Sequence, residues 1–357
     1  MKKSVKKAKK TGKNGNSVQN SVSEKGKFKV AINGFGRIGK QFLLACIAKK
    51  VDWEFIINDL TDIENIAYSL KYDSVHPQKE KILHDKFNIF IGEKKVKVIN
   101  VADVAELPWG KERIDLVVDC SGRFTDAKEA YRHIEAGAKR VLISAPAKNH
   151  DITIVPGIND SSLTGEHLVV SAGSCTTNCI APMIKILNDA LEIESAQFIT
   201  THALTSTQKL IDAHDKKDPR RGRAAASNIS PSTSGASISV IEVIPEIKGK
   251  LEGYSLRVPV IDGSISSVIA KVNKKTSVKE LNALFRKLAE TKMKGILEYT
   301  EEPIVSSDII GNPSSCIFDS SLTSVNGHLV SIAGWYDNEI GYSNRLVDVS
   351  GMMLAKI

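Results

Sequence analysis

Between residues 28 and 175, apolar positions come in short runs separated by stretches with helical spacing. Phe28 to Asn33 is a compact apolar-rich run that predicts a strand, and Gly34-Phe35-Gly36-Arg37-Ile38-Gly39 follows at once. Gln41 to Lys49 places Phe42, Leu43 and Ile47 on one side of a predicted helix, and Trp53 to Asn58 predicts a second strand ending at Asp59. Thr61-Asp62-Ile63-Glu64 has capping-box spacing and should open another helix. Leu116 to Cys120 and Arg140 to Ser144 read as buried strands with a helix around Ala127 to Ala136 between them. Strands alternating with helices imply βαβ units and a parallel sheet. From about Cys175 the pattern changes. Ile180, Ile184, Leu187 and Leu191 keep helical spacing, and longer strand-like runs then dominate: Ala196 to Thr201, Tyr254 to Val260, Ser267 to Val272 and Leu329 to Ala333. Ser277-Val278-Lys279-Glu280 is a second capping box, opening a helix to about Glu290. Mixed strands with few helices suggest an α+β second domain.

Length supports the same division, because 357 residues exceed what one core usually organises. A membrane span needs roughly 18 or more consecutive apolar residues, and the sequence holds no such run. The expected compartment is the cytoplasm. The formal net charge of +8 changes the picture less than it first suggests. Residues 1–27 hold nine lysines and one acid, Glu24, so the whole excess sits there and residues 28–357 are close to neutral. This Lys-, Ser-, Asn- and Gly-rich segment has almost no apolar surface to offset its ordering entropy, which predicts a disordered tail. Without an apolar h-region it is no secretory signal. A solubilising extension and a weak anion-binding arm both remain open for it. Nucleic-acid binding through the tail is the reading from a different functional class, and it leaves the motifs below unexplained. Five cysteines, an odd and sparse set, point to reduced thiols, of which one can be a nucleophile.

Gly34-x-Gly36-x-x-Gly39 follows a predicted strand, precedes a helix, and has an acid 20 residues beyond it at Asp59. The glycines permit a tight turn and close approach of backbone to a pyrophosphate at the positive end of a helix. Asp59 suits the adenosine ribose hydroxyls and repels a 2′-phosphate. The spacing therefore predicts a dinucleotide site made by Gly34, Phe35, Gly36, Arg37, Ile38, Gly39 and Asp59, with NAD as the cofactor. A glycine-rich turn without a ligand is the plain alternative.

Ser174-Cys175-Thr176-Thr177-Asn178-Cys179 is the second constellation. Propensity starts the following helix near Ala181, with Pro182 in its first turn and the polar stretch as the turn that feeds it. Cys175 then lies near a helix N-terminus, where the dipole favours a thiolate and free N–H groups can stabilise an oxyanion. A buried structural cysteine is the alternative. Cys175 and Cys179 are too far apart for a typical redox pair, and no His or Cys cluster completes a zinc site, so no metal is expected.

Read together, several segments resemble the glyceraldehyde-3-phosphate dehydrogenase family. They are Ala31 to Gly39, Lys71-Tyr72-Asp73-Ser74, Ile143 to Lys148, Ser174 to Cys179, Gly249-Lys250-Leu251, Arg257-Val258-Pro259 and Trp335-Tyr336-Asp337-Asn338-Glu339. They run in the family's order from about residue 28 to the C-terminus. The resemblance implies an α/β architecture: a Rossmann dinucleotide-binding domain over 28–174, an α+β catalytic domain with a mixed or antiparallel sheet over 175–337, and a C-terminal helix (about 338–357) returning to the first domain. It also implies a phosphorylating, NAD-dependent oxidation of glyceraldehyde 3-phosphate through a cysteine thioester, the reaction of glycolysis and gluconeogenesis. Cys175 would be the nucleophile and His202, in Thr201-His202-Ala203, its base. Ser174, Thr176, Thr205, Arg221, Ser234, Gly235 and Arg257 would bind the substrate phosphate and the attacking inorganic phosphate. Ser121 and Asn338 would meet the nicotinamide half of the cofactor, and Cys179 would be the second, non-nucleophilic cysteine. A homotetramer is implied, with the loop around 205–230 near a neighbour's cofactor.

The chain departs from the family's commonest pattern at several places. It has Ser171-Ala172-Gly173-Ser174 where Ser-Asn-Ala-Ser is usual, Ser234-Gly235 for Thr-Gly, and Ala102 where an arginine often stands. Ala213-His214 replaces the Leu-Pro pair of strictly NAD-using relatives, which leaves some use of NADP open. Erythrose-4-phosphate dehydrogenase, which passes its thioester to water, shares the same motifs and is the nearest alternative.

Overall fold

The computed structural model describes residues 27–216 and 218–357, so the expected disordered tail of residues 1–27 lies, all but Lys27, outside the described residues. Two sheets organise the chain. The first contains β1 (Phe28–Asn33), β2 (Trp53–Asn58), β3 (Ile82–His84), β4 (Asn88–Ile91), β5 (Lys94–Ile99), β6 (Leu116–Asp119), β7 (Arg140–Ile143), β8 (Ile152–Thr153) and β9 (Val169–Ser171). Their spatial order is β3-β4-β5-β2-β1-β6-β7-β9-β8. Pairing is parallel from β5 to β8, and β3 and β4 add an antiparallel hairpin at one edge.

The near-continuous apolar runs of the central strands follow from burial on both faces. Val30, Ile32, Leu116, Val118 and Leu142 point into one core, while Ala31, Val117, Val141 and Ile143 point into another. α1 (Arg37–Ala48), α2 (Ile63–Lys71), the single turn α3 (Trp109–Glu112) and α4 (Ala127–Glu135) join these strands. α1 starts four residues before the sequence pattern placed it, because the glycine loop runs directly into its first turn. The cap of α2 also differs from expectation. Asp62, rather than Thr61, accepts the Asn65 N–H at 2.8 Å, so the Thr-x-x-Glu spacing is coincidental.

The second sheet contains β10 (Ile193–His202), β11 (Ser230–Thr233), β12 (Leu251–Arg257), β13 (Ser264–Val272), β14 (Leu297–Thr300), β15 (Cys316–Asp319), β16 (Ser324–Asn326) and β17 (Leu329–Tyr336). Its order is β11-β12-β10-β13-β17-β15-β14, with β16 on β17, and it mixes parallel and antiparallel pairs. β12 lies three residues earlier than expected, since its partners β10 and β11 end at the Arg257 register and Pro259 cannot donate to a ladder. α5 (Cys175–Leu191), α6 (Ala236–Val243) and α7 (Val278–Glu290) build the third core with this sheet. α7 opens on the Ser277/Glu280 capping box as the sequence predicts. The last helix, α8 (Ile340–Leu354), packs Tyr342, Leu346, Val349 and Met353 into the core beside α1.

α5 corrects the sequence reading most. It begins at Cys175, not near Ala181, and Pro182 sits inside it. Ser174 Oγ accepts the Thr177 N–H at 3.0 Å and the Thr177 hydroxyl stands 3.2 Å from the Ser174 N–H, a reciprocal cap that fixes the start. Pro182 forgoes one backbone bond, and burial of the residues around it holds the helix together.

The glycine loop is where sequence and packing constrain each other most tightly. A Cβ on Gly39 would lie 2.2 Å from the Gly34 carbonyl oxygen. Replacing Gly39 with alanine is therefore expected to destabilise the chain by about 1–3 kcal/mol, the usual cost of overpacking, and to weaken NAD binding. Urea unfolding and cofactor titration of the Gly39→Ala variant check this, and an unchanged unfolding midpoint would count against the contact.

Candidate active site

The strands β2, β1 and β6 end side by side in three buried polar residues, Asn58, Asn33 and Asp119. Burying them requires partners, and they satisfy one another. Asn58 Nδ2 donates to Asn33 Oδ1 at 2.8 Å, and Asn33 Nδ2 donates to Asp119 Oδ2 at 2.6 Å. Asp119 Oδ1 in turn accepts the Ser121 hydroxyl at 2.9 Å. This chain is the floor of a cleft of about 610 Å3, which places Ser121 at its edge.

The cleft meets what a dinucleotide requires. Gly34 has φ of +88°, and a Cβ there would lie 2.6 Å from the Ser121 backbone. Gly36, by contrast, faces open space and begins α1 without a side-chain cap, so the first-turn N–H groups remain available to a pyrophosphate. Asp59 Oδ2 accepts the Phe35 N–H at 2.6 Å and its Oδ1 accepts the Thr61 N–H at 2.9 Å, which fixes the carboxylate at the cleft wall. Ile38 and Ala102 line the same cleft, as do Ser206 and Thr207 from the loop after β10. Arg37 contributes to the wall while its guanidinium is committed elsewhere, to Glu339 and to Asp73.

Cys175 is the first residue of α5, and its sulfur stands 3.4 Å from His202 Nε2 at the end of β10. His202 Nδ1 lies 2.8 Å from the Ala203 carbonyl oxygen, a contact only a protonated Nδ1 can make, so Nε2 is the acceptor facing the thiol. The sequence reading expected a thiol lowered by the helix N-terminus. Burial instead raises the Cys175 thiol above its ordinary value, with Arg257 and the Thr176 N–H pulling it back only in part. Burial and the Arg257 charge lower the His202 imidazole to about 3. Both shifts favour the uncharged forms of thiol and imidazole. Arg257 favours thiolate but disfavours imidazolium, so its effect on transfer between them largely cancels.

Arg257 reaches this site through strand register, since it pairs with His202 across β10 and β12. Its Nη1 is buried without a hydrogen-bond partner, and Arg221 is near enough to act on its charge. A buried guanidinium with no ion-pair partner among the described residues, within electrostatic reach of a second one, is suited to an anionic ligand. Ser234 and Gly235 stand at the start of α6, where the Ser234 hydroxyl accepts the Ala236 N–H at 3.2 Å. Thr205 hydrogen-bonds Thr207 at 3.0 Å, at the margin of the cleft.

Two of the expected anion-binding hydroxyls have other partners. Ser174 Oγ is used in the α5 cap. Thr176 Oγ1 turns inward to the Tyr336 hydroxyl at 3.0 Å, and Tyr336 also meets Thr200 at 2.7 Å. Tyr336 lies edge-on to His202 with ring centres 6.1 Å apart. Sequence reasoning quoted Tyr336 without assigning it a role, although a tyrosine ending an apolar strand needs a partner for its hydroxyl. Asn338 Oδ1 accepts the Ser264 hydroxyl at 2.7 Å, and Ser264 accepts the Ala203 N–H at 3.1 Å, which ties Asn338 to the histidine's own strand end. Cys179 is buried, with its thiol 3.6 Å from the Gly334 carbonyl oxygen.

Fold and site together define a nicotinamide-dependent dehydrogenase. Comparison with known proteins makes the class specific. Residues 28–127 match the family description "Glyceraldehyde 3-phosphate dehydrogenase, NAD binding domain", and residues 174–338 match "Glyceraldehyde 3-phosphate dehydrogenase, C-terminal domain". The chain is 46% identical over 326 residues to glyceraldehyde-3-phosphate dehydrogenase 2 of Streptomyces avermitilis, covering 90% of this chain and 97% of that one. It is 47% identical to the Streptomyces coelicolor enzyme (90% and 97% covered) and 46% identical to that of Mycobacterium leprae (91% and 98%). The chain belongs to the glyceraldehyde-3-phosphate dehydrogenase family. No helix among the described residues is long and apolar enough to cross a membrane.

Because Arg257 lowers the Cys175 thiol, its removal should raise it. Alkylation by iodoacetamide follows the thiolate fraction, so in Arg257→Gln the midpoint of the rate–pH profile is expected at higher pH than in the wild type. A midpoint that stays put or falls would show that the guanidinium does not act on the sulfur.

Proposed function

We propose that this chain oxidises D-glyceraldehyde 3-phosphate in the presence of inorganic phosphate to 1,3-bisphosphoglycerate, with Cys175 as nucleophile and His202 as base. The 3.4 Å contact between the Cys175 sulfur and His202 Nε2, beside an unneutralised Arg257, is the observation that carries the assignment.

His202 Nε2 takes the thiol proton as the sulfur adds to the aldehyde carbon. The N–H groups of Cys175 and Thr176 at the start of α5 face the oxygen that develops negative charge. NAD held along Gly34 to Gly39 would supply the acceptor for the hydride of the hemithioacetal carbon. The thioester on Cys175 is then attacked by phosphate, the sulfur departs, and the acyl phosphate is released. Arg257 and Arg221 hold the anions, with Ser234, Gly235 and Thr205 as the neighbouring contacts. The backbone of Thr176 belongs to the oxyanion site, while its hydroxyl positions Tyr336 under the imidazole. Gly34 to Gly39, Asp59, Ser121 and Asn338 hold the cofactor.

On this reading residues 28–174 and α8 form the cofactor-binding unit, and 175–337 the catalytic unit. The native assembly is a homotetramer. Tyr254, Ile269 and Leu329, all more than 40% exposed on one sheet, supply apolar surface that a neighbouring copy would cover. Light scattering of the purified chain tests the assembly directly, and a monomer would refute it.

The decisive assay is NADH formation from glyceraldehyde 3-phosphate, with and without phosphate. Turnover should require phosphate, vanish in Cys175→Ser, and fall about 10²–10⁴-fold in His202→Asn, the range for loss of a positioned base. Phosphate-independent turnover would mean that water, not phosphate, resolves the thioester.

A further inference from the structure

A second convergence of reactive groups lies outside the thiol site. His76, in the loop after α2, Asp262, in the turn between β12 and β13, and Glu339, at the start of α8, each present one ligand atom, all within 4.8 Å of one another. His76 Nε2 is 3.1 Å from Asp262 Oδ2 and 3.1 Å from Glu339 Oε2. The Asp262 side chain is fully shielded from solvent, and that of His76 is 10% exposed.

The approaches have the length of hydrogen bonds without their direction. At these distances His76 Nε2 and Asp262 Oδ2 are in ion-pair range of one another, yet both are buried without a well-formed hydrogen bond. Such an arrangement is costly for a donor and acceptor meant for each other. It is the natural one for ligands around a shared ion. Groups bound tetrahedrally to zinc at about 2.0–2.2 Å stand about 3.3–3.6 Å from each other by simple geometry, and the two His76 approaches lie a little inside that spacing.

We propose that His76, Asp262 and Glu339 form a binding site for a divalent zinc-like cation that pins the first-sheet loop to the second sheet and to the start of α8. One imidazole and two carboxylates suit zinc and its neighbours better than magnesium or calcium, which favour all-oxygen sets. The two carboxylates match the ion's charge. Arg37 grips both oxygens of Glu339, Nε donating to Oε1 at 2.7 Å and Nη2 donating to Oε2, so the guanidinium holds the carboxylate in place and shares Oε2 with the site. The remaining Asp262 oxygen accepts the Gly263 N–H at 2.8 Å, which orients the carboxylate toward the histidine. A proton is the rival occupant. Burial weakens the hold of His76 on it, and the two carboxylates more than offset this, leaving the imidazole at about 9.

The test uses the full chain with Cys175 carbamidomethylated, so that the thiol and His202 cannot hold metal. After chelator treatment the protein is titrated with zinc by calorimetry and with cobalt by visible absorption. One ion per chain is expected, with a nitrogen–oxygen cobalt spectrum free of thiolate bands. Affinity should fall more than about 100-fold in Asp262→Asn, beyond the usual effect of an outer-shell partner. His76→Gln should do the same and carries the test if Asp262→Asn fails to fold. Absence of binding, or affinity indifferent to both substitutions, overturns the site and leaves the cluster to its proton.

Discussion

The position of α5 is the constraint on which the rest depends. Cys175, its first residue, packs against the core of the second sheet and against one core of the first. The helix behind it is buried along most of its length. Its start is held from three directions: the Ser174/Thr177 cap, the Tyr342 hydroxyl donating to the Gly173 carbonyl at 2.8 Å, and the Thr176–Tyr336–Thr200 hydroxyl chain. A thiol fixed this way cannot shift without disturbing two cores, which is the preorganisation that a covalent role would need. The same burial disfavours charge on the thiol or the imidazole alone, because either charged form would have to be desolvated.

Two arginines show how pairing decides function. Arg37 has two carboxylate partners, Glu339 and Asp73, and its charge is consumed in linking the glycine loop to α8. Arg257 is largely buried with an unpartnered nitrogen and a second guanidinium nearby. An unpaired buried cation is costly unless a ligand completes it, so Arg257 suits an anion where Arg37 does not. Both lie in stretches that a motif reading marks equally; only partners separate them.

What the sequence made legible was what local rules govern. The parallel strands show in apolar runs, the glycine turn in its spacing, and α7 in a capping box whose two members meet. The start of α5 was misread because Pro182 at a first turn and Ser174 at a cap are both valid local signals, and burial of the intervening residues chose between them. The raised thiol and the lowered imidazole depend on desolvation by segments distant in the chain, which no motif encodes. The inward turn of the Thr176 hydroxyl depends on Tyr336 in the same way. His76, Asp262 and Glu339 lie so far apart in sequence that no ligand spacing could reveal their meeting.

The departures from the family pattern separate by the same logic. Gly173 has φ of +64°, a conformation that strains any residue with a Cβ, and a Cβ there would stand 3.0 Å from Thr177. Glycine therefore relaxes the turn before the nucleophile rather than weakening it. Ala213 is exposed, and its N–H donates to the Gly222 carbonyl at 2.8 Å, so its loop is closed by backbone and not by an apolar side chain. Asp59 is then the feature of the cleft best placed to act on a 2′-phosphate. Both of its oxygens are anchored by backbone N–H groups of separate turns, so the carboxylate cannot swing aside for a 2′-phosphate. A fixed like charge at the cleft wall disfavours such a phosphate.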